Sequence, residues 1–292
     1  MALDQAQSDE KEMSFLDHLE ELRWHLIRSF IAVVVFTIAA FISAKWVFEN
    51  IIFAPARPDF PTFKFLCRLG ELINSEELCI TDIPFLVQSR NMTGQFTMHI
   101  MSSFILGFIV SFPYVAWELW RFIKPGLQIK ERKYSRGAVA AISILFFFGV
   151  AFGYYVIAPW MVYFLANYSI SDMVVNEFDI TSYVSTVVML VFGAGLLFQL
   201  PVVVYFLTKI GIITPKFLRD YRKHSIIVIL IVSAILTPPD PLSQALITIP
   251  LYLLFEISIL ISSVVYKRKE KEEAEELAAE QASSSNEDSD RQ

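Results

Sequence analysis

Residues 15–30, FLDHLEELRWHLIRSF, place three carboxylates (Asp17, Glu20 and Glu21) ahead of Arg23 and Arg28 and lead into the apolar run IAVVVFTIAAF. A further acid, Glu131, stands inside the basic stretch KPGLQIKERK. At a membrane surface such carboxylates can accept paired N–H donors from a cationic ligand. A guanidinium group suits them best, because its planar fork of donors matches a carboxylate in bidentate geometry. The same residues also have a plain reading. Ser14 followed by Asp17 fits a capping box, and acids favour a helix N-terminus. Glu20–Arg23 (i,i+3) and Glu21–His25 (i,i+4) are spaced as ordinary surface pairs of small worth. Periodicity alone leaves a ligand pocket and a solvated helix end both open.

The elements that must position these residues are membrane spans. Of 292 residues, 55% are hydrophobic and 18% charged, with 26 Phe; mean hydropathy is +0.51. A soluble domain usually has about a quarter of its residues charged. Six apolar stretches are predicted as helices, over residues 26–48, 95–122, 138–165, 182–208, 225–236 and 242–266. The expected fold class is an all-α membrane protein with six transmembrane helices, the last two spans short. The alternation of a β-barrel is missing from these stretches. Residues 49–94 form an outer loop too polar and too proline-rich for lipid, and no internal repeat is visible.

Lys and Arg cluster in residues 121–136, 209–223 and 267–271, whereas residues 166–181 and 237–241 carry none. The positive-inside rule then puts both termini in the cytoplasm. The membrane domain is read as residues 14–266. Residues 1–13 are expected to be a disordered cytoplasmic N-terminus without signal-peptide character. Residues 267–292, ending EKEEAEELAAEQASSSNEDSDRQ, are expected to be a charged tail, disordered or frayed helix.

Two further features sit inside the spans. Gln199 lies beside Pro201, which cannot donate to the carbonyl of Leu197, so the amide either satisfies freed backbone or serves another helix. The fifth span, residues 225–236, has 12 residues, about 18 Å of helix against a core of about 30 Å. Pro238, Pro239 and Pro241 close it and open the sixth, where Asp240 is read as a cap.

FLDHLEELR before the first span, LWRFIKPGLQIKERK after the second and LTPPDPLSQ between the last two resemble the signature stretches of the TatC family, the receptor subunits of the twin-arginine protein translocase. The resemblance covers residues 14–266. It implies that Glu21 and Glu131 recognise the arginine pair of a signal peptide, with Arg23, Phe122, Pro125 and Arg132 in the same shared stretches. It also implies that Gln199 is an intramembrane polar position facing a concave, lipid-exposed side, open to a partner helix or to water-assisted local thinning. Asp240 and Gln244 are by the same resemblance polar positions in a region contacting single-span partners, and Pro55 matches a family proline after the first span. The implied partners are signal peptides of folded cargo, single-span TatA- and TatB-type subunits, the lipid bilayer and further copies of the chain. The implied place is a bacterial inner membrane, with export driven by the proton-motive force. No nucleic acid and no cofactor are implied.

Cys67 and Cys79 lie in what reads as an insertion in the outer loop, where an oxidising compartment favours a disulfide over free thiols. Other functions fit less well. An intramembrane enzyme lacks G-x-S-x-G and H-E-x-x-H motifs, and the four His show no ligand spacing. A small-molecule secondary transporter is the runner-up. It would carry charged midspan residues and repeats, whereas Gln199 is the one midspan polar residue singled out here.

Overall fold

The computed structural model describes residues 15–73, 79–80, 82–84, 86–123, 135–171, 173, 176–236 and 241–289. In chain order these form α1 (Phe15–Ile42), α2 (Ala44–Val47), α3 (Pro61–Ile73), β1 (Leu86–Gln88), α4 (Gly94–Ile123) and α5 (Ser135–Phe152). There follow α6 (Ala158–Asn167), β2 (Glu177–Asp179), α7 (Ile180–Leu197), α8 (Leu200–Ile210), α9 (Pro215–Asp220), α10 (Arg222–Leu236) and α11 (Pro241–Ser289). The chain divides into two compact units, one of Met1–Ile51 with Ser89–Ile144 and one of Ile52–Gln88 with Leu145–Gln292.

The first unit is built on α1 packed along α4. Without a hydrophobic drive between helices in lipid, such pairs depend on close backbone approach and satisfied polar groups. Gly107 supplies the approach: a Cβ there would lie 2.6 Å from the backbone nitrogen of Thr37 and 2.7 Å from its Cα. The buried hydroxyls of Ser102 and Ser111 bond within α4, donating to the carbonyls of Met98 (2.6 Å) and Phe108 (3.1 Å). Toward the other end of the pair, His99 Nε2 lies 2.9 Å from the Phe41 carbonyl, and its ring stacks on Phe41 at 3.8 Å.

The second unit holds Ile52–Gln88 and the chain from Leu145 onward. Phe60, Phe63, Ile83 and Ala166 form a buried cluster with Tyr154, Tyr163 and Phe178 packed against it. Pro55 is buried in the short 3-10 turn Ala54–Ala56. The Thr62 hydroxyl donates to the Tyr155 carbonyl, and the Tyr183 hydroxyl to that of Ile52 at 2.8 Å. Cys67 and Cys79 are joined in a disulfide, their Cα atoms 4.2 Å apart. β1 pairs in parallel with β2, with Val87 opposite Phe178. Asp179 then caps α7 by accepting from Thr181 N at 2.8 Å. Pro201 separates α7 from α8 at Phe198 and Gln199. Gly211, at φ 88°, ends α8 in the left-handed conformation that glycine adopts without steric penalty. Thr208 Oγ1 on α8 and Ser262 Oγ on α11 meet at 2.8 Å, both buried.

Several expectations are refined. Among the described residues, five helices are long and apolar enough to cross a membrane: Glu20–Ile42, Gly94–Ile123, Gly137–Asn167, Ile180–Ile210 and Gln244–Lys271. The predicted fifth span falls on α10, whose 15 residues extend about 22 Å. The sixth falls on α11, where the candidate span Gln244–Lys271 has 28 residues and is not short. The tail, read as disordered or frayed helix, continues α11 to Ser289 over its described part; Glu, Ala, Leu and Lys are strong helix formers and propagate a helix already nucleated. The all-α expectation also misses the β1–β2 pair, whose three-residue strands are too short to show an alternating pattern.

Two outcomes follow from the packing. Gly107→Ala inserts a methyl where α1 backbone already stands, so the thermal midpoint of detergent-solubilised protein is expected to fall, and Gly107→Leu is expected not to yield folded protein; an unchanged midpoint for both would contradict the close crossing. The disulfide closes a loop of sequence separation 12, for which about 3 kcal/mol is the entropic expectation. Non-reducing peptide mapping should give one linked pair, and reductant should lower the thermal midpoint.

Candidate functional site

In the last two turns of α4, Glu118 is 1% exposed. An ionised carboxylate removed from water needs charged or hydrogen-bonded partners. Three side chains supply them. His25 Nδ1 lies 2.5 Å from Glu118 Oε2. The Tyr114 hydroxyl, one turn earlier on α4, donates to the same carboxylate. Arg121 Nη1 stands 3.7 Å from Glu118 Oε1, and its guanidinium also covers the Trp117 ring at 5.7 Å. The i−4 and i+3 spacings follow from the helix, while His25 arrives from α1 and is itself 5% exposed.

The imidazole faces a second carboxylate. His25 Nε2 is 3.8 Å from Glu21 Oε1, one turn back along α1. Glu21 is partly exposed, yet its other oxygen, Oε2, is buried and has no hydrogen-bond partner among the described residues. The Phe122 ring stands edge-on to His25 at 6.5 Å. Glu20 and Arg23 point to the exposed side of the helix. The structure therefore brings Glu21 and Phe122 together around His25 and leaves Arg23 outside. Glu131, Arg132 and Pro125, like Pro238, Pro239 and Asp240, lie outside the described residues.

A second polar cluster lies where α10 meets α11. Arg222 Nη2 donates to Glu256 Oε2 at 2.7 Å, and the Tyr252 hydroxyl to Glu256 Oε1 at 3.0 Å. Arg219 Nη2 donates to Ser263 Oγ at 2.8 Å. Gln244 Nε2 donates to the Leu230 carbonyl at 3.3 Å, tying the start of α11 to α10. Beside these contacts runs a groove lined by Ile226, Ile229, Thr248, Ile249, Tyr252 and Leu253. Gln199 sits at the α7–α8 break, its carbonyl accepting from Val202 N (2.9 Å) and Val203 N (3.0 Å).

Sequence reasoning missed Glu118 and Glu256 and treated Glu21–His25 as a surface pair. The available signal was an acid inside an apolar run, AWELWRF and LLFEISIL, since ionisable residues within spans are rare and usually paired.

Residues 17–250 match the family model described as TatC: Sec-independent protein translocase protein (TatC). The chain belongs to the TatC family. It is 39% identical over 264 residues to the Sec-independent protein translocase protein TatC of Blattabacterium sp. subsp. Periplaneta americana, covering 90% of this chain and 99% of that one. It is 35% identical over 264 residues to TatCy of Bacillus subtilis, covering 90% and 94%. A crystal structure of the twin arginine translocase receptor TatC in DDM superposes with a TM-score of 0.69 at 31% identity, covering 84% of this chain and 99% of that one. As a TatC-family protein the chain is a multi-span membrane component of a protein translocase, and its work is transport rather than catalysis. The His25–Glu118 pair makes a quantitative demand on this TatC-family fold. His25→Ala strips a buried carboxylate of its α1 partner, and breaking a buried pair typically costs about 3–5 kcal/mol. The thermal midpoint of the purified protein is expected to drop accordingly. His25→Gln combined with Glu118→Gln, which leaves two neutral groups able to hydrogen-bond, should recover most of it.

Proposed function

We propose that this TatC-family protein reads twin-arginine signal peptides of folded cargo at the cytoplasmic face of a bacterial inner membrane. In this reading the chain crosses six times, with α10 as the short fifth span and both termini in the cytoplasm, because the Lys- and Arg-rich stretches alternate with loops that carry none. Glu21 and Glu131 each take one guanidinium of the arginine pair. The observation that carries the reading is the Glu21 carboxylate: it is held beside His25, and its Oε2 is buried with no partner among the described residues. An acceptor already desolvated in the empty protein favours a donor that fits it over a hydrated point charge. Phe122, on the same rim, would receive the apolar side chains that follow the arginines.

The bound peptide then lies along the spans, and single-span TatA- and TatB-type subunits gather on the same scaffold. Support for their docking place comes from α10. Its length leaves the hydrocarbon unmatched on that side, and the groove shared with α11 exposes Ile226, Ile249 and Leu253 around the single hydroxyl-bearing pair Thr248 and Tyr252. Gln199, Asp240 and Gln244 are the polar positions proposed to meet the partner helices. Export in this reading draws on the proton-motive force.

The test is direct binding of an arginine-pair signal peptide to the full protein in nanodiscs. Charged hydrogen bonds are worth about 1.5–3 kcal/mol each, and about 1.4 kcal/mol is one decade. Glu21→Gln and Glu131→Gln should therefore each weaken binding by about tenfold or more. Glu20→Gln, altering an exposed residue roughly 100° round the helix, should change little, and a Lys–Lys peptide should bind the unmodified protein more weakly. Equal affinity across these variants would refute the reading.

A further inference from the structure

Glu21 is not placed by its own helix alone. Its carboxylate is one end of a chain of side chains that begins on α4. Tyr114 and Arg121 fix Glu118 from within α4. Glu118 Oε2 takes His25 Nδ1 at 2.5 Å. The opposite ring nitrogen, Nε2, then faces Glu21 Oε1 at 3.8 Å. An imidazole has two nitrogens on opposite edges of a rigid ring, so occupying one edge orients the other. His25 is 5% exposed and Glu118 1%, so the ring has little room to turn. The Phe122 ring closes one side of it at 6.5 Å.

We infer that His25 is a positioning residue for signal-peptide recognition: gripped by Glu118 on α4, it holds the partly exposed Glu21 carboxylate in one orientation, Oε1 beside the ring and Oε2 buried, so that an incoming guanidinium meets a fixed acceptor. This rests on the proposed role of Glu21. It goes beyond it by assigning the geometry of the acceptor to two residues that need not touch the peptide. Without the ring, Glu21 keeps its charge but regains the rotamers of a long side chain on a helix surface, and an acceptor that must be ordered on binding holds its ligand less tightly. Recognition of a planar fork suffers more from this loosening than attraction of a point charge, because only the fork needs both acceptor directions fixed.

A double-mutant cycle in the full-length protein separates positioning from mere stability. Affinities for an Arg–Arg and a Lys–Lys signal peptide are measured for the unmodified protein, Glu21→Gln, His25→Gln, His25→Gln with Glu21→Gln, and His25→Gln with Glu118→Gln. The last variant keeps the buried site neutral, so it stays folded if His25→Gln alone does not. The expected results are a loss of about fivefold to tenfold for the Arg–Arg peptide in both variants that lack His25 but keep Glu21, and a smaller loss for Lys–Lys. Adding His25→Gln to Glu21→Gln should bring no further loss beyond about twofold. Independent, multiplying losses for the two substitutions would overturn the inference. So would full Arg–Arg affinity in the folded His25→Gln, Glu118→Gln protein, or equal losses for the two peptides. If Glu21→Gln itself leaves affinity unchanged, the parent reading of Glu21 fails and this inference falls with it, an outcome distinct from a Glu21 effect without coupling to His25.

Discussion

A carboxylate that leaves water must find its partners inside the protein, and in this chain that requirement ties α1 to α4. Glu118 is buried in α4, and the histidine that answers it is carried by α1. The pair therefore fixes the register of the two helices at one end. The Gly107–Thr37 approach fixes their spacing in the middle, and His99 against Phe41 fixes the other end. Each contact alone is local, but the three together leave α1 neither free to slide nor free to rotate. Glu21, one turn from His25, inherits that placement.

The second unit answers a different demand, that backbone and polar groups be satisfied inside the protein wherever lipid offers nothing. Pro201 removes a donor from the fourth span, and the chain responds by ending α7 and restarting as α8. The Gln199 carbonyl accepts from two amides of the new helix. Thr208 with Ser262, and Ser233 with Thr248 at 3.2 Å, settle hydroxyls pairwise between helices. Glu256 is tolerated because Arg222 and Tyr252 reach it. Glu118 lies near the end of α4 and Glu256 well inside α11, and each is paired, as ionisable groups within spans usually are.

What was legible in the sequence divides along the same physical line. Local rules were readable: the apolar runs marked the spans, Pro201 marked the break beside Gln199, and the short run after Arg222 marked α10. The carboxylate at Glu21 was noticeable because it stood where positive charge is usual. Its supporting pair was not. His25 and Glu118 are 93 residues apart, and no periodicity links them; only the misplaced acid in AWELWRF pointed there. The β1–β2 pairing was hidden for a similar reason, since three-residue strands have no pattern and their partnership is set by the loop closure around them. Composition leaves the tail open: high charge argues for disorder or a frayed helix, and the helix-forming character of the same residues carries α11 on to Ser289.

The arrangement also bears on why the proposed recognition would rest on so few groups. Any basic peptide is drawn to an acidic rim, and a solvated carboxylate would hold lysine and arginine almost alike, with most of the attraction screened by salt. Selectivity needs an acceptor that has already lost its water on one side and cannot reorient to suit a point charge. Glu21 meets that description through Oε2, buried and without a partner among the described residues, while its side chain is still 36% exposed to an arriving ligand. A fully buried glutamate such as Glu118 could not be reached, and a fully exposed one such as Glu20 could not discriminate. Half-burial beside a fixed imidazole is the condition under which a carboxylate can both be reached and prefer a guanidinium.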